Sequence, residues 1–440
     1  MRLQNSYRRF WWSWGMSEWI HSNVGAVTLY QRAGGTPTAT TDAYYGGEIP
    51  FVTIEDITNG TRYLDKTIKN LSELGLNTSA AWLIKEPHIL YSMYATVGKP
   101  IINRITCATS QAIIALKESD AIDQTYLFYQ LLHIRPEVYK FTSQTTQSNL
   151  NAASVRRLPV AYPKRKESQR KIAAILSTID TAIEQTEALI EKYQYIKAGL
   201  MHDLFTRGVL GSGQLRPPRK QAPELYQETA IGWIPREWSL FPLQQIADVL
   251  DAQPDHRTPQ ESINGIPYVG IGDFDAYQEL SLDTCRKVVK EAYDKQRQRF
   301  EIQTGDVIFG KIGTIGQPKR LPFGGYAVSA NVILLKPKID ALYFYYSVCS
   351  SAFEKQISNI TNTTSQPALG IEKVRNVQVA TPETSESTEI GKRLHSVALE
   401  IASERRLQDK LKKQKIGLMQ DLLTGKVPVT VDASPSETAT

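Results

Sequence analysis

The sequence predicts an α/β fold with a pseudo-twofold internal duplication, in which two α/β domains alternate with two long helices whose apolar seams can bury against each other. Three observations lead to this fold class. The segment KAGLMHDLFTRGV from Lys197 returns as KIGLMQDLLTGKV from Lys415, with eight of the thirteen positions identical. Each copy ends a stretch in which apolar residues recur at heptad spacing, which is typical of paired helices. Each stretch follows a region of short β-rich runs, which predicts an α/β domain ahead of each helix.

The duplication extends from the helix ends toward the N-terminus at a nearly constant offset. Glu18-Trp19 pairs with Glu237-Trp238 at an offset of 219 residues, and Ile49 to Val52 pairs with Ile266 to Val269 at 217. Each unit, at roughly 190 residues, is long enough to bury a core of its own. The small drift in the offset indicates loop insertions. The helix ends are copied more closely than the domains before them.

Residues 1–15 lie outside the repeat and are basic and rich in Trp. They lack the apolar core of a secretory signal, so we expect no export. Because Met16 stands two residues before the repeat begins, the favoured interpretation is a disordered extension ahead of the true start. The alternative is a surface-binding arm.

The repeat and its breaks predict six further segments. They are a first α/β domain at 16–153, a first long helix at 154–206, a linker at 207–234, a second α/β domain at 235–372, a second long helix at 373–427 and a disordered tail at 428–440. The linker is rich in Gly and Pro, and we expect it to let the second unit return beside the first.

Short β-rich runs separated by Gly, Pro, Asn and Thr predict strands in both domains. The predicted strands are Glu48 to Ile54, His88 to Tyr94, Ala112 to Leu116, Asp306 to Gly310 and Ala327 to Leu335. Each domain also contains one predicted short helix, at Tyr126 to His133 and at Leu342 to Ile357.

The heptad rows predict which residues form the seam between the two long helices. Charged residues cover the other faces, as is typical of solvated helices. The predicted seam residues are Ile172, Ile179, Leu189, Ile196, Leu200, Met201 and Leu204 in the first helix, and Leu394, Val397, Ile401, Leu411, Leu418, Met419 and Leu422 in the second.

Composition narrows the class of partner. The net charge of +6 and the isoelectric point of about 8.9 are consistent with a polyanionic partner. A run of about 18 apolar residues, which a membrane span needs, is missing, so we expect no membrane partner. The three cysteines, Cys107, Cys285 and Cys349, are isolated. This pattern argues against zinc and disulfide sites and favours a cytoplasmic location.

Motifs for catalysis are missing from the sequence. It contains no phosphate-binding G-x-x-x-x-G-K-[ST], no D/E-x-K of metal-dependent nucleases, no N-P-P-[YF] of amino methylation and no H-E-x-x-H. We therefore expect no catalytic residues, no metal site and no cofactor in this chain. The expected function is binding.

With these residues in hand, the protein resembles the specificity subunit of type I restriction-modification enzymes. The resemblance covers nearly the whole chain after Met16. The second half of the chain lacks the G-G-T-P motif and has Ala252 to Asp255 in the corresponding region. The motifs that carry the resemblance are Gly34-Gly35-Thr36-Pro37, Gly46 to Val52 with Asp56-Ile57, Gly232-Trp233-Ile234-Pro235 ahead of Glu237-Trp238, and the two repeated helix ends.

The resemblance implies a division of labour. Each α/β domain would be a target recognition domain that reads one half of a bipartite, asymmetric double-stranded DNA sequence. The two long helices would pair as an antiparallel coiled coil that acts as a spacer. The seam residues named above would also be candidates for docking two methyltransferase subunits. These partners would bring S-adenosylmethionine for adenine methylation on a flipped base, and restriction and translocase subunits would bring ATP and Mg²⁺.

Loops rich in Thr, Asn, Gln and basic residues are the candidate DNA contacts, because these side chains bind phosphates and base edges. Ordinary turn chemistry is the alternative interpretation of each loop. Tyr91, Tyr94 and Phe309 are candidates for base stacking, with core packing as the alternative. The candidate DNA-binding residues are Thr36, Thr38, Thr40, Lys99, Asn103, Arg104, Thr145, Gln147, Asn149, His256, Arg257, Lys311, Thr314, Lys319, Arg320, Asn362, Thr364 and Gln366.

Two alternatives to a type I specificity subunit remain open at this point. One is a specificity subunit that serves a fused nuclease-methyltransferase. The other is an enzyme with an unrecognised site, against which the missing motifs count.

Overall fold

The computed structural model describes residues 18–142, 149–253, 258–361 and 369–431. The chain divides into two compact units, of which the first comprises residues 1–184 with 409–440 and the second comprises residues 185–408. Each unit therefore contains one α/β domain and a part of both long helices. No helix in the described ranges is long and apolar enough to cross a membrane.

The first unit contains ten strands in its described part. They are β1 (Trp19–Asn23), β2 (Thr28–Ala33), β3 (Tyr45–Val52), β4 (Tyr63–Leu64), β5 (Lys69–Leu71), β6 (Ile89–Ser92), β7 (Pro100–Asn103), β8 (Ala108–Thr109), β9 (Ile113–Glu118) and β10 (Pro159–Pro163). Its helices are α1 (Val24–Val27), α2 (Ile54–Asn59), α3 (Glu73–Asn77), α4 (Gln124–Ile134), α5 (Ala152–Arg156) and the beginning of α6 (Lys166–Thr206), with 3₁₀ turns at Asp42–Tyr44 and Arg135–Phe141.

The second unit continues with eleven strands among its described residues. They are β11 (Tyr226–Thr229), β12 (Gly232–Pro235), β13 (Ser239–Pro242), β14 (Ala247–Asp251), β15 (Glu261–Val269), β16 (Lys287–Val288), β17 (Val307–Gly310), β18 (Gly316–Arg320), β19 (Ala327–Val328), β20 (Val332–Pro337) and β21 (Gln378–Thr381). Its helices are α7 (Leu243–Ile246), α8 (Lys290–Arg297), α9 (Ala341–Val348), α10 (Ser351–Thr361), α11 (Ile371–Arg375) and the beginning of α12 (Thr384–Leu422), with 3₁₀ turns at Pro223–Leu225 and Ile271–Asp273.

The sheets of the two units have corresponding strand orders, except that the edge strand β4 has no counterpart among the described residues of the second unit. In the first unit, a five-stranded sheet has the order β2-β9-β6-β7-β4 and a three-stranded sheet the order β5-β3-β8. In the second, the orders are β14-β20-β17-β18 and β16-β15-β19. Buried tyrosines also match, since Tyr126 donates to the carbonyl of Ala161 at 2.8 Å and Tyr343 donates to that of Ala380 at 2.6 Å. The duplication predicted from the helix ends thus extends through both α/β domains.

The two long helices pair in opposite directions, as predicted. In the first unit, Ile172 and Leu176 near the start of α6 share a core with Met419 and Leu422 near the end of α12. In the second unit, the end of α6 packs against the start of α12, and the shared core contains Leu204, Ile390 and Leu394. The predicted fold class is therefore confirmed.

Two of the residues predicted for the seam of α6 lie outside it. Leu189 is 38% exposed and Ile196 is 40% exposed, so neither lies in the seam. Lys197, which is polar, occupies a half-buried seam position beside the apolar Ile196, and for this reason the apolar pattern favoured the neighbouring row. The predicted residues of α12 all lie on its buried or half-buried side. The buried or half-buried row of α6 is Leu176, Ile183, Ile190, Lys197 and Leu204.

The segment predicted as a linker is folded. Arg216 is 3% exposed, and its guanidinium donates to both carboxylate oxygens of Glu386, at 2.5 and 3.0 Å, and to Glu237 at 2.5 Å. Glu386 also accepts from the backbone nitrogen of Val209 at 2.6 Å and from the indole of Trp238 at 3.1 Å. Since these partners lie up to 177 residues away, composition alone could not predict this order.

Other predicted bounds also change. The first long helix begins at Lys166, because the short helix α5 and the strand β10 occupy part of the range 154–165. The predicted helix Leu342 to Ile357 is two helices, α9 and α10, which are separated at Cys349. The predicted strand from Ala327 to Leu335 is also two strands, β19 and β20.

A glycine after each long helix packs against a tryptophan that opens an α/β domain. Gly208 and Gly425 both have positive φ, +64° and +74°, which favours glycine. A Cβ atom at Gly208 would lie 2.7 Å from the ring of Trp238, and one at Gly425 would lie 2.8 Å from the ring of Trp19. The equivalent pairs Glu18-Trp19 and Glu237-Trp238 therefore mark the same contact in both units.

We predict that Glu386→Ala destabilises the second unit by about 3 kcal/mol, because it leaves Arg216 buried without its main counter-ion. The matched control is Glu389→Ala on the same helix, which removes a partly exposed pair with Arg393 and should cost about 0.5 kcal/mol. Urea unfolding followed by circular dichroism would measure both. Equal stability of the two variants would contradict the assigned role of the buried pair.

Candidate nucleic-acid interface

Several loops of the first unit meet at one end of its five-stranded sheet. These are residues 34–41, 93–98, 110–112 and 149–150, which we call the sheet-end loops of this unit. Backbone hydrogen bonds of 2.9–3.0 Å join them, from Gly34 to Ile113, Gly35 to Thr109, Met93 to Ala112 and Leu150 to Met93. The loops therefore form one connected surface on a fixed sheet.

The second unit repeats this arrangement. Its sheet-end loops are residues 311–316, 329–331 and 369–370. Lys311 donates from its backbone nitrogen to Asn331 at 2.8 Å and accepts from Leu369 at 3.0 Å. The bond from Leu369 to Lys311 occupies the place of the bond from Leu150 to Met93, since both pairs are offset by 218 or 219 residues. The duplication thus repeats two of these four backbone hydrogen bonds in the described part of the second unit.

The G-G-T-P motif holds its loop against the sheet. A Cβ atom at Gly34 would lie 2.0 Å from the carbonyl oxygen of Thr109, and one at Gly35 would lie 2.3 Å from the backbone of Ala80. Only glycine allows this close approach. Thr36 accepts from the backbone nitrogen of Gln111 at 3.2 Å. The loop is therefore anchored at its base while its threonines remain exposed.

The structure brings some of the predicted DNA-binding residues together and separates others. Thr36, Thr38, Thr40 and Asn149 lie in the sheet-end loops of the first unit, and Thr314 lies in those of the second. Arg104 follows β7 at the opposite end of the sheet, and Lys319 and Arg320 lie toward the opposite end of β18. Seven candidates lie outside the described residues, namely Thr145, Gln147, His256, Arg257, Asn362, Thr364 and Gln366.

Two predicted contacts are contradicted because the side chains are inside the protein. Asn103 is 1% exposed, and its amide donates to the carbonyls of Glu86 and Ile105 at 3.2 and 2.9 Å. Lys311 is 5% exposed, and its ammonium lies 3.1 Å from Asp251. Both polar groups are satisfied within the fold, so neither is free for a phosphate or a base.

Two other predicted cations are half-buried and have partners within the fold. The ammonium of Lys99 donates to the carbonyls of Thr58 and Gly60, at 2.9 and 2.7 Å, and desolvation followed by the nearby charge of Arg135 lowers the pKa of Lys99. Lys319 donates to the side chain of Gln278 at 2.6 Å. Their roles as phosphate contacts stay predictions.

The three candidates for base stacking differ in their exposure to solvent. Tyr91 and Phe309 are buried in the cores of their units, as in the core-packing interpretation, whereas Tyr94 is exposed in a sheet-end loop. Of the three, Tyr94 alone has a ring that a DNA base can reach in this structure.

A cluster beside the G-G-T-P loop was missed by the sequence analysis. The guanidinium of Arg32 lies 4.7 Å from the centre of the Trp82 ring, and the Trp82 indole donates to the carbonyl of Ala33 at 3.2 Å. The hydroxyl of Tyr30 lies 2.5 Å from Nε2 of His88. Tyr30 and Arg32 are two residues apart on the edge strand β2 and therefore lie on the same face of it. This spacing is the sequence signal that could have identified them. The cluster places an exposed cation and aromatic rings next to exposed threonines.

Comparisons with known proteins cover most of the chain. The family described as type I restriction modification DNA specificity domain matches residues 16–194 and 235–413. The chain is 23% identical over 425 residues to the type I restriction enzyme MjaVIII specificity subunit of Methanocaldococcus jannaschii, across 94% of this chain and 93% of that protein. Both matches extend over the two halves of the duplication.

Two solved structures have a similar fold. The S subunit of a type I restriction-modification system from M. genitalium matches with a TM-score of 0.61 at 13% identity, over 96% of this chain and 99% of that chain. A chain from a structural study of complex assembly and conformational transition of the type I R-M system matches with a TM-score of 0.51 at 14% identity, over 93% and 99%. At these identities the likeness concerns the fold.

Binding of duplex DNA weakens as salt rises, so the slope of log K against log salt is negative. We predict that Arg32→Ala reduces the magnitude of this slope by about one, as expected for one lost phosphate contact. Lys311→Ala should leave that slope unchanged and lower stability by about 3 kcal/mol, because Asp251 loses its buried partner. Fluorescence anisotropy at several salt concentrations and urea unfolding would test the pair. A Lys311→Ala variant with native stability and a smaller salt slope would contradict the assignment of Lys311 to a buried ion pair and would favour a phosphate contact instead.

We predict that the first unit loses stability as the pH falls below about 6.5, the usual pKa of histidine. Desolvation lowers the pKa of His88 in the folded protein, so folding favours its neutral form, and the stabilising contribution is lost on acidification. Melting temperatures between pH 5 and 8 would measure this dependence. His88→Gln should reduce it, and the exposed His21→Gln is the control; an unchanged profile in His88→Gln would exclude His88 as its source.

Proposed function

The chain belongs to the type I restriction-modification DNA specificity family, and from this membership we propose that it selects a bipartite double-stranded DNA target, one half with each α/β domain. The observation that carries the proposal is the repeated set of sheet-end loops. Two backbone hydrogen bonds that join these loops are repeated in both units, but the side chains that the loops present differ. Equivalent loops with unlike side chains suit two unlike half-sites, and hence an asymmetric target.

The side chains of the first unit have the chemistry for DNA contact. Thr36, Thr38 and Thr40 carry exposed hydroxyls that can bind phosphates or base edges. Arg32 is exposed beside them and can bind a phosphate or the two acceptors of a guanine. Since Trp82 holds the guanidinium at a fixed place, less conformational entropy is lost on binding. This arrangement supports recognition through a rigid surface with short polar side chains.

The paired long helices suit a second role as the scaffold for two methyltransferase subunits. Leu189 and Leu407 occupy equivalent positions at an offset of 218 residues, and both are partly exposed on their helices. Two equivalent apolar positions on closely copied helices would offer two identical partners similar sites. The predicted seam residue Ile196, which is exposed in this structure, belongs to the same partner-facing candidates.

In this proposal the chain binds and positions the DNA, and its partner subunits catalyse methylation and restriction. S-adenosylmethionine would be bound by the methyltransferase subunits, and ATP and Mg²⁺ by the restriction and translocase subunits. A duplex base must leave the stack before it can be methylated, which costs a few kcal/mol. Contacts from both domains of the specificity subunit would hold the duplex in register while the partner flips the base.

We predict that co-expression with the neighbouring methyltransferase gene yields adenine methylation at a split DNA motif with two unlike halves. Single-molecule sequencing of host DNA would read the motif, and deletion of this gene should abolish it. Replacing Thr36, Thr38 and Thr40 together by alanine should relax one half of the motif only. The other half of the motif, read in the same experiment, is the internal control.

Three outcomes would contradict parts of this proposal. A stable complex without methylation would exclude a methylation scaffold. Relaxation of both halves together would contradict the assignment of one half-site to each domain. S-adenosylmethionine binding and turnover by the purified chain alone would favour an enzyme with its own site.

A further inference from the structure

A groove of about 710 Å³ opens in the second unit between residues 219–223 and the hairpin formed by β11 and β12. Three cations line it, Arg219, Lys220 and Arg236, together with the ring of Trp233. Glu228 is the one acidic residue among the described residues of its lining. The groove is distinct from the sheet-end loops, and residues 219–233 lie between the two segments that match the family.

The groove has fixed walls. The guanidinium of Arg219 lies 4.3 Å from the centre of the Trp233 ring, and Trp233 is 40% exposed. Tyr226 is buried and donates to the carbonyl of Pro217 at 2.6 Å. Gln227 donates to the carbonyls of Arg236 and Trp238, at 3.1 and 2.8 Å. The cations therefore project from an ordered backbone.

The positive charge of the groove is not neutralised within the fold. The neighbouring Arg216 is buried against Glu386 and Glu237. By contrast, Arg219, Lys220 and Arg236 are exposed and have no ion-pair partner in the part of the chain that the structure describes. A cluster of exposed cations around one acidic residue attracts an anionic partner.

We propose that this groove binds the phosphate backbone of duplex DNA without reading its sequence, as a contact additional to the two half-site surfaces. This inference rests on the proposed DNA-binding function. The groove is open and so admits a continuous chain of phosphates. Guanidinium groups bind phosphate oxygens in a bidentate geometry, and stacking on Trp233 holds one of them in place. Such contacts position a protein on DNA but carry no base specificity.

The test uses the full chain co-purified with its methyltransferase partner and compares Arg219→Glu/Lys220→Glu with Lys164→Glu/Lys171→Glu. The control pair replaces two exposed lysines of the first unit and changes the net charge equally. Fluorescence anisotropy would measure affinity for a target duplex and for a scrambled duplex at several salt concentrations. The groove variant should bind both duplexes about tenfold more weakly than the control, and its slope of log K against log salt should fall by about two. The ratio of the two affinities should stay unchanged.

Three results would overturn the proposal. The first is a salt slope equal to that of the control, and the second is a loss confined to the target duplex. The third is unchanged DNA binding together with lost binding of polyglutamate, which would assign the groove to an acidic polypeptide. Arg219→Ala/Lys220→Ala, without introduced acids, separates lost contacts from new repulsion and should lower the slope equally. If the wild type fails to discriminate the duplexes but the slope still falls, the groove stands and the proposed sequence selection fails.

Discussion

The packing of each long helix end into the α/β domain of the other repeat is the contact on which both units depend. In the first unit, Met419, Leu422 and Leu423 of the second repeat complete a core built on α4 and the start of α6. Gln130 fixes this helix end by donating to the carbonyl of Leu423 at 2.8 Å. In the second unit, Leu204 fills the same role, and Phe205 lies 5.5 Å from Tyr343. Each fully buried leucine contributes about 1.5–3 kcal/mol, so neither repeat buries its core alone.

This exchange explains why the helix ends are the most closely copied part of the chain. The residues at each helix end must fit a core in the other repeat, so their shape is constrained by packing. The sheet-end loops have a different constraint. Hydrogen bonds between backbone groups hold much of their frame, and most such bonds do not depend on side-chain identity; the glycines of the G-G-T-P motif are the exception. The loops can therefore present different side chains while the sheets keep corresponding strand orders.

The duplication is nevertheless imperfect inside the helical seam. Lys415 pairs with Asp180 at 2.6 Å, and its ammonium lies 5.8 Å from the ring of Tyr129. The equivalent Lys197 lies 5.7 Å from the ring of Tyr346, but Ala398 occupies the position that corresponds to Asp180. Burial lowers the pKa of Lys197. The two copies thus share a lysine and an aromatic ring, whereas only the first has the carboxylate.

The sequence by itself determined the duplication, the two long helices and most of the strands. These features are written as local periodicity or as repeated segments, which can be read without knowing the fold. It also identified the Thr36 to Thr40 loop as a candidate DNA contact, because this loop is rich in threonine hydroxyls. Of the eleven candidate DNA-binding residues that the structure describes, five lie in the sheet-end loops with side chains that are not buried, since exposed polar loops have a local signature in the sequence.

Only the tertiary structure decided which polar side chains are buried. Lys311 and Asp251 are 60 residues apart, and Arg216 and Glu386 are 170 apart, so no local pattern reveals that these charges neutralise each other. For the same reason, the sequence pattern did not assign the polar Lys197 to the seam of α6, where it is half-buried. Burial of a polar group depends on a partner that the fold brings to it. That partner is absent from the surrounding sequence, and this is the physical reason why the sequence could not assign these residues.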